Sequence, residues 1–226
     1  MKQYIKARYP DLVRIGRLMS YELSGWAVDL RGRLSPRQRQ TLRTLRNATG
    51  LKLNIASGRS THTGWINVDV SSAADIRMDL RRAMPLRDGS AALIFCEHFC
   101  DHLNYPDVIS RFLSDCHRLL APGGRARFVL HDAEGLMRAH LARDNRYFDV
   151  SEISLPTRME AVNLLFRFND FHQFLYDYET FERLLRLAGF ARVEKASYQK
   201  SDFPELVLDQ IHPSREMMSM YVEAIK

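Results

Sequence analysis

The stretch LKLNIASGRSTHTGWINVDV, residues 51–70, decides which fold this chain can adopt. Its pattern predicts a buried strand over Lys52–Ala56, a tight turn at Ser57-Gly58 and a second strand over Ile66–Val70. Asp69 lies at the end of that second strand. A strand, a turn at its carboxyl end and an acid on the next strand are typical of nucleoside sites in open α/β sheets.

Strands and helices alternate along the rest of the chain. This alternation predicts an α/β fold of the Rossmann-like type, a doubly wound and mostly parallel sheet with helices on both faces. The further strands are predicted over Ile76–Met78, Ala91–Cys96, Arg125–Leu130, Val193–Tyr198 and Val222–Ile225. The helices are predicted from Pro36 to before Gly50, from Pro106 to the Pro122-Gly123-Gly124 turn, over 134–149 and over Tyr178–Ala188.

Composition and charge divide the chain into two parts. Apolar residues make up 46% and charged residues 27% of the 226 positions, which is typical of a globular domain with a substantial core. The net charge is +6, but the first 50 residues hold 11 lysines and arginines against three acids, so that segment carries +8. We therefore expect a basic helical extension over residues 1–49 and a Rossmann-like domain over residues 50–226.

The N-terminal segment carries an apolar stripe at helical spacing. Its basic residues, such as Arg14, Arg31 and Arg33, fall off that stripe. We expect the stripe to pack on the core or on a second copy in a homodimer. The alternative is peripheral contact of residues 1–34 with an anionic membrane. No nucleic-acid reader motif is present, so no nucleic-acid partner is expected. The stripe consists of Leu12, Ile15, Met19, Leu23, Trp26 and Leu30.

The cysteines indicate a reducing compartment. Cys96, Cys100 and Cys116 are odd in number and match neither a disulfide framework nor a four-ligand zinc site. With no secretory signal and no run of 18 apolar residues, the expected location is cytoplasmic. His98 and His102 lie close to two of these cysteines, but four such ligands on one helix cannot converge on one ion, so no metal is expected.

Two acids follow predicted strands. Asp69 can accept hydrogen bonds from ribose hydroxyls, and Asp79 can accept one from an adenine amino group. The alternative for each is a helix N-cap or a solvated charge. A dinucleotide site is disfavoured, because G-x-G-x-x-G is absent and Asp69 follows Gly58 by 11 positions, against about 20 in the dinucleotide fingerprint.

Several stretches, in order, resemble the class I S-adenosylmethionine-dependent methyltransferases. They are LKLNIASG, GWINVDV, MDLRRAMPLRDGSAALIFCEHFCDHL, FLSDCHRLLAPGGRARFVLHD and FLYDYETFERLLRLAGFARVE. The chain looks especially like a bacterial group of predicted small methyltransferases linked to cell-surface glycan genes. The resemblance implies S-adenosylmethionine as cofactor and methyl transfer by direct displacement to a small-molecule or glycan acceptor.

The resemblance also implies where the cofactor contacts lie. The turn Ala56-Ser57-Gly58 would pass beneath the methionine moiety, and Asp69 would bind the ribose. Asp79 and Leu80 would flank the adenine. Cys96 and Glu97, with His98, would follow strand four and face the sulfonium and the acceptor. Leu120 to Gly124 would be a structural turn before strand five.

Two departures from the family pattern support an alternative function. Ala56 stands where the family has its first glycine, and Ala92 replaces an acid that commonly precedes strand four. The connection from Ala56 to Ile66 is also short for a parallel crossover. A degenerate, non-catalytic methyltransferase fold that serves as a binding or scaffolding protein is therefore the second hypothesis.

Histidines provide the candidates for catalysis. If the acceptor is a hydroxyl, a base should lie near it. His98 follows strand four, His131 and Asp132 follow strand five, and His172 lies in a segment, FHQFLYD, that could cap the pocket. The alternative is that they only pack or bond the backbone, with His98 and His102 on one helical face.

Overall fold

The computed structural model describes residues 10–149 and 156–226 of the chain. Short 3₁₀ turns lie at Cys100–His102, Phe168–Asp170 and Pro204–Leu206. The helices are α1 (Pro10–Leu34), α2 (Pro36–Leu45), α3 (Asp107–Leu119), α4 (Ala133–Ala142), α5 (Asn145–Asp149), α6 (Arg158–Arg167), α7 (Tyr178–Leu187) and α8 (Pro213–Met218). The strands are β1 (Leu51–Ile55), β2 (Ile66–Asp69), β3 (Ile76–Arg77), β4 (Ala91–Glu97), β5 (Leu120–His131), β6 (Arg192–Lys195) and β7 (Ser219–Ile225).

The seven strands form one mostly parallel sheet in the order β3-β2-β1-β4-β5-β7-β6. Strands β1 to β5 run parallel, and β7 is inserted antiparallel between β5 and β6. The carboxyl ends of β1, β2, β4 and β5 therefore share one edge with the start of β7. This confirms the predicted Rossmann-like fold of the class I methyltransferase type.

The two faces of the sheet are covered differently. Ile94 and Cys96 on β4 point into the main core with α3 and α7, whereas Phe95 points to the opposite face, where Trp65 and Leu206 cover it. No helix separates β1 from β2, since residues 56–65 cross over as a turn-rich loop. The short spacing noted in the sequence is thus accommodated without a crossover helix.

Strand β5 begins earlier than predicted. The Pro122-Gly123-Gly124 segment was expected to be a turn, but it lies inside β5, next to a register shift against β4. Gly124 permits this arrangement, because a Cβ there would lie 2.8 Å from the Ala121 carbonyl oxygen. At the other end of the chain, β6 stops at Lys195 rather than Tyr198, where a turn closed by Ser197 and Lys200 follows.

A buried arginine on β5 fixes the segment between β6 and β7. The Arg127 guanidinium is fully buried and pairs with Asp209 at 2.6 Å and with Glu223 at 2.8 Å. It also donates to the carbonyl oxygens of Ser197 and Lys200. The connection that these contacts hold continues directly into Gln210 and α8, which reach the carboxyl edge of the sheet.

Helix α1 packs against the β3 side of the sheet through small and polar residues. The Asp29 carboxylate accepts from the Asp79 backbone N–H, and Gly25 and Gly32 lie where a side chain would collide with Asp79 and with the Arg77 carbonyl. The apolar stripe faces away, and its six residues are 52–65% exposed. The prediction that the stripe packs on the core is therefore wrong.

A side chain from α2 pairs with the backbone of the edge strand β3. The Gln38 amide donates to the Arg77 carbonyl oxygen at 3.2 Å and accepts from the Arg77 N–H at 2.9 Å. It thus satisfies both backbone groups that the edge strand β3 presents at this position. Among the described residues, no helix is both long and apolar enough to cross a membrane.

Candidate active site

The turn after β1 holds a strained alanine. Ala56 adopts φ +58° and Gly58 adopts φ +54°, both in the left-handed region that favours glycine. The Ala56 N–H donates to the Val68 carbonyl at 2.8 Å, which fixes the turn on β2. The side chain of Ser57 is buried, and its hydroxyl has no hydrogen-bond partner among the described residues. The turn therefore presents a buried polar group at the sheet edge.

Asp69 ends β2 as predicted, with a half-buried side chain. One carboxylate oxygen, Oδ1, accepts from the Ser71 N–H at 2.7 Å, which orients the group. A carboxylate held in this way at the carboxyl end of β2 has the position and chemistry to accept hydrogen bonds from two vicinal hydroxyls.

Asp79 lies in an ion pair. Arg81 donates to both of its carboxylate oxygens, at 2.6–3.0 Å, and also pairs with Glu22 of α1. Burial alone would raise the pKa of Asp79, but the bonds from Arg81 lower it overall. Because Arg81 occupies both oxygens and Leu80 is buried in the core, the expected contact of these two side chains with adenine is not what the structure shows.

A cleft of about 60 Å³ opens between the β1 turn and the end of β4. The segment after β6 closes it: Gln210 donates to the Ser60 hydroxyl at 3.1 Å, and Arg215 Nε lies 2.9 Å from Glu97 Oε1. Burial raises the pKa of Glu97, with Arg215 opposing the shift. The cleft is lined by Asn54, Ala56, Ser57, Ser60, His62, Phe95, Glu97, Gln210 and Arg215.

Cys96 does not face this cleft. Its thiol is 1% exposed and packs in the main core, because successive side chains of β4 point to opposite faces of the sheet. The expected contact of Cys96 with the sulfonium is therefore wrong, whereas Glu97, one position later, lines the cleft.

Three of the predicted catalytic histidines meet at the carboxyl edge of the sheet. His98 Nδ1 lies 3.2 Å from His131 Nε2, and the ring of His172 lies 5.1 Å from that of His131. Burial lowers the pKa of His98 well below its ordinary value, and burial with nearby His172 lowers the pKa of His131 to about 3. These imidazoles are therefore neutral near pH 7.

His98 does not lie on a helix with His102. It adopts φ +49°, directly after β4, and its Nε2 lies 3.0 Å from the Ser219 hydroxyl. The shared helical face expected from their spacing is wrong, because the chain leaves the strand through this left-handed residue. His102 nevertheless joins the group, since its ring lies 4.9 Å from that of His172.

The tautomer of His172 follows from its surroundings. Its Nδ1 lies 2.5 Å from the Leu165 carbonyl oxygen, which can only accept, so Nδ1 carries the proton of the neutral ring. Burial lowers the pKa of His172 to about 4. Its Nε2 is therefore left with a lone pair that can accept a proton or a hydrogen bond.

Asp132 has a structural role. Its Oδ1 accepts from the Gly135 N–H at 2.9 Å, which makes it the N-cap of α4. The N-cap alternative considered for acids in this sequence thus applies to Asp132. The carboxylate does not join the three histidines, and the expected catalytic role of Asp132 is not supported.

Asp101 is a site residue that sequence reasoning missed. It is fully buried beneath His131, whose backbone N–H donates to Oδ2 at 3.4 Å. Burial raises the pKa of Asp101 to about 8, against a lowering by that hydrogen bond. The repeated acid-histidine pairs of Glu97-His98 and Asp101-His102 were a signal that could have drawn attention to it. Gln210, Arg215 and Ser219 come from the distant C-terminal part and carried no local signal.

Comparison with known proteins agrees with the geometry. Residues 37–128 match a family model described as a methyltransferase domain. Among curated proteins, none matches significantly. The chain is similar to the structure of a SAM-dependent methyltransferase from Archaeoglobus fulgidus, with 16% sequence identity and a TM-score of 0.51. The match covers 84% of this chain and 91% of the Archaeoglobus fulgidus chain.

Two other similar structures have TM-scores below 0.5. One is an S-adenosylmethionine-dependent methyltransferase from Mesorhizobium loti, with 16% identity, 85% and 98% coverage and a TM-score of 0.47. The other is a possible histamine N-methyltransferase from Thermotoga maritima, with 17% identity, 99% coverage of both chains and a TM-score of 0.46.

The family model describes a methyltransferase domain over residues 37–128, and the fold is the one found in an S-adenosylmethionine-dependent methyltransferase. S-adenosylmethionine is the cofactor that this class of enzyme uses. The residues at the cleft fit that group chemically. They offer a buried, unpartnered hydroxyl at Ser57 and one charge of each sign at Glu97 and Arg215, for a ligand end that carries an amino and a carboxylate group.

Proposed function

We propose that the chain methylates a hydroxyl oxygen of a small-molecule or glycan acceptor by direct displacement. The observation that carries this proposal is the group of neutral histidines at the ends of β4 and β5, next to the cleft that ends in Glu97. When bound, the cofactor supplies an activated methyl group on a sulfonium that leaves with the C–S electron pair. The protein therefore has to position the acceptor and accept its proton.

The cofactor-binding roles are assigned by chemistry. The Ala56-Ser57-Gly58 turn and the Ser57 hydroxyl hold the methionine end, and Asp69 accepts from the ribose hydroxyls. Glu97 and Arg215 take the amino and carboxylate groups, for which their mutual pair at 2.9 Å has to open. Asp79 keeps its pair with Arg81 and supports the adenine side only indirectly.

The acceptor side is formed by His172 and the rings around it. His172 Nε2 is the proton acceptor, because Nδ1 is fixed on the Leu165 carbonyl. Phe168 stacks on His172 at 5.0 Å and is 41% exposed, and Tyr105 stacks on Phe174 at 4.3 Å with 37% exposure. Exposed aromatic faces beside a polar group suit the apolar face of a sugar ring, which supports a glycan acceptor.

Calorimetric titration with S-adenosylhomocysteine tests the cofactor-binding part of the proposed function. The Asp69→Asn variant should bind roughly ten- to a hundredfold more weakly, because a charged acceptor of hydrogen bonds is worth roughly 1.5–3 kcal/mol. The Asp88→Asn variant, whose carboxylate pairs with Arg118 on the surface, is the matched control and should bind like the wild type. Absence of binding by the wild type at millimolar ligand would contradict the proposal and favour the non-catalytic alternative.

A methyl-transfer assay tests the proposed acceptor. It measures transfer of a labelled methyl group to the glycan and small-molecule fractions of a cell lysate. The His172→Gln variant should transfer at least tenfold more slowly while it binds S-adenosylhomocysteine like the wild type, since it loses only the proton acceptor. Transfer confined to protein or nucleic acid would contradict the proposed acceptor.

We also propose that the stripe on α1 lies on an anionic membrane surface. Every described side chain from residue 11 to residue 24 is exposed or half-buried, and the guanidinium of Arg82 lies 4.4 Å over the ring of Trp26 at the edge of the stripe. The net charge of +8 over the first 50 residues favours an anionic surface over a second copy, whose equal charge would be repelled. A homodimer through α1 is the alternative outcome.

A cytoplasmic location is part of the same proposal. Cys96, Cys100 and Cys116 are free thiols, and all three are buried. Such thiols need no oxidising compartment, and the negatively charged lipids that α1 would meet are those of a cytoplasmic leaflet.

A further inference from the structure

We propose that His98, His131 and Asp101 form a binding site for a divalent transition-metal ion. One ligand atom from each of the three residues lies within 4.8 Å of the others. They come from three places in the fold: the residue after β4, the 3₁₀ turn that follows, and the last residue of β5. The site lies at the acceptor end of the proposed active site, so its catalytic use, though not the binding itself, rests on the proposed function.

The spacing of the two imidazoles fits one ion. Two nitrogens that each lie ~2.0–2.1 Å from a tetrahedral zinc are about 3.3 Å apart. His98 Nδ1 and His131 Nε2 are 3.2 Å apart. A small shift of either ring would place both on a common ion, in place of the hydrogen bond that now joins them.

The Asp101 carboxyl group has an unpartnered oxygen within reach of the two imidazoles. Asp101 is fully buried, and its Oδ1 has no hydrogen-bond partner in the described part of the chain. No lysine or arginine among the described residues pairs with Asp101 at salt-bridge distance. A buried carboxylate without a cationic partner is costly, and a bound cation would remove that cost.

The surroundings are those of a metal site. His98 Nε2, the ring nitrogen that would not bind the ion, lies 3.0 Å from the Ser219 hydroxyl oxygen. Histidines that bind metals commonly have a hydrogen-bond partner at their second nitrogen. The left-handed backbone of His98 (φ +49°) fixes the direction of the ring. Both histidines are half-buried, whereas Asp101 is fully buried. Two imidazoles and one carboxylate suit zinc, iron(II) or cobalt(II) and leave positions open for a further ligand.

An ion here would activate the acceptor. A hydroxyl bound to a divalent cation loses its proton far more readily, and that proton passes to His172 Nε2 or to water. The oxygen then forms a bond to the methyl carbon with its own electron pair, while the C–S bond breaks and its pair goes to sulfur.

Cobalt(II) titration of the chelator-treated full-length protein tests the site without cofactor or acceptor. The wild type should bind one equivalent with visible d–d absorption bands and release it to zinc(II). The Asp101→Asn and His131→Gln variants should each bind at least a hundredfold more weakly. The His117→Gln variant, which alters a histidine packed on Phe190 outside this cluster, is the control and should bind like the wild type.

Two results would overturn the proposal. One is the absence of cobalt or zinc binding by the wild type below millimolar metal. The other is unchanged binding in both Asp101→Asn and His131→Gln, provided that circular dichroism shows both to be folded. Titration with S-adenosylhomocysteine on the same samples separates the two hypotheses, because cofactor binding without metal binding rejects only the metal site.

Discussion

Ala56 holds a left-handed backbone conformation that ordinarily belongs to glycine (φ +58°). For an L-residue other than glycine this costs roughly 1–2 kcal/mol, whereas glycine costs roughly 0.5–1 kcal/mol of extra chain entropy on folding. Ala56→Gly should therefore stabilise the protein by about 0.5–1 kcal/mol in urea unfolding. An unchanged or lower stability would contradict this reading of the turn.

Gly58, two residues later, provides the reverse substitution. It has φ +54°, and a Cβ there would have no heavy atom within 4 Å, so Gly58→Ala adds backbone strain without a collision. We expect a loss of about 1 kcal/mol in the same measurement. If Ala56→Gly and Gly58→Ala changed the free energy of unfolding in the same direction and by the same amount, backbone strain would not be what distinguishes the two substitutions.

The residue scale is also where the sequence was least informative. The ends of strands drew attention to His98 and His131, because parallel strands bring their carboxyl ends to one edge. His172 was singled out only as part of a segment that could cap the pocket, and its ring lies 5.1 Å from that of His131. A position at the end of a strand could not distinguish Asp69 from Asp79, since only the folded chain shows that Arg81 occupies both oxygens of Asp79. Whether a polar side chain is already paired is a property of tertiary contacts.

Helix α7 depends on a capping acid. Asp177 Oδ1 accepts from the Thr180 N–H at 2.9 Å, and this bond lowers the pKa of Asp177. Asp177→Ala should cost about 1 kcal/mol near pH 7, while Asp177→Asn, which keeps an acceptor, should cost less. A lowered pKa means that the stabilisation is complete above the unfolded value near 3.9 and is lost as the pH falls through the folded value.

The difference in free energy of unfolding between the wild type and Asp177→Ala should therefore become smaller when urea unfolding is repeated at acid pH below about 3.9. A gap that stays constant with pH would show that the carboxylate charge contributes nothing to the cap.

Helix α1 can be tested through its exposed stripe. The Leu23→Ser/Leu30→Ser double variant should bind vesicles containing phosphatidylserine at least tenfold more weakly, because two apolar side chains lose contact with the lipid. Leu141→Ser, which removes an 81% exposed leucine of α4, is the matched control. Binding should also weaken at high salt. Retained vesicle binding, or a wild type that forms dimers without binding vesicles, would reject the membrane proposal.

At the scale of elements, hydrophobic runs placed all seven strands but not all their ends. Gly123 and Gly124 are typical turn residues, yet here they lie within β5. Gly123 adopts φ +77°, and Gly124 passes close to the carbonyl oxygens of Ala121 and Ala92. Conversely, the stripe on α1 predicted a buried face, whereas α1 docks through Gly25, Asp29 and Gly32. Docking through small residues leaves almost no signal in an apolar pattern.

At the scale of the whole molecule, Arg127 joins the centre of the sheet to the segment that closes the cleft. Arg127→Met leaves Asp209 and Glu223 buried without their cation, and should destabilise the protein by about 3–5 kcal/mol in urea unfolding. Arg125→Met is the control on the same strand and should cost about 1 kcal/mol, because it loses only a contact with the ring of Phe203.

Arg127→Met should also weaken binding of S-adenosylhomocysteine. Arg127 donates to the carbonyl oxygens of residues 197 and 200, which precede Gln210 in the segment that closes the cleft. Wild-type affinity in a folded Arg127→Met protein would show that this segment is independent of the cleft. Long-range couplings of this kind, between Arg127 of β5 and residues 70 to 82 positions away, are beyond the reach of local sequence patterns.

Gln38 has a consequence for how this protein behaves in a crowded solution. An edge strand normally offers its free backbone groups to any other extended chain, which is how amyloid-like assembly begins. By bonding both groups of Arg77, one side chain removes that template at the open end of the sheet. On an edge strand of only two residues, Gln38 thus leaves no backbone group of Arg77 free to pair with another extended chain.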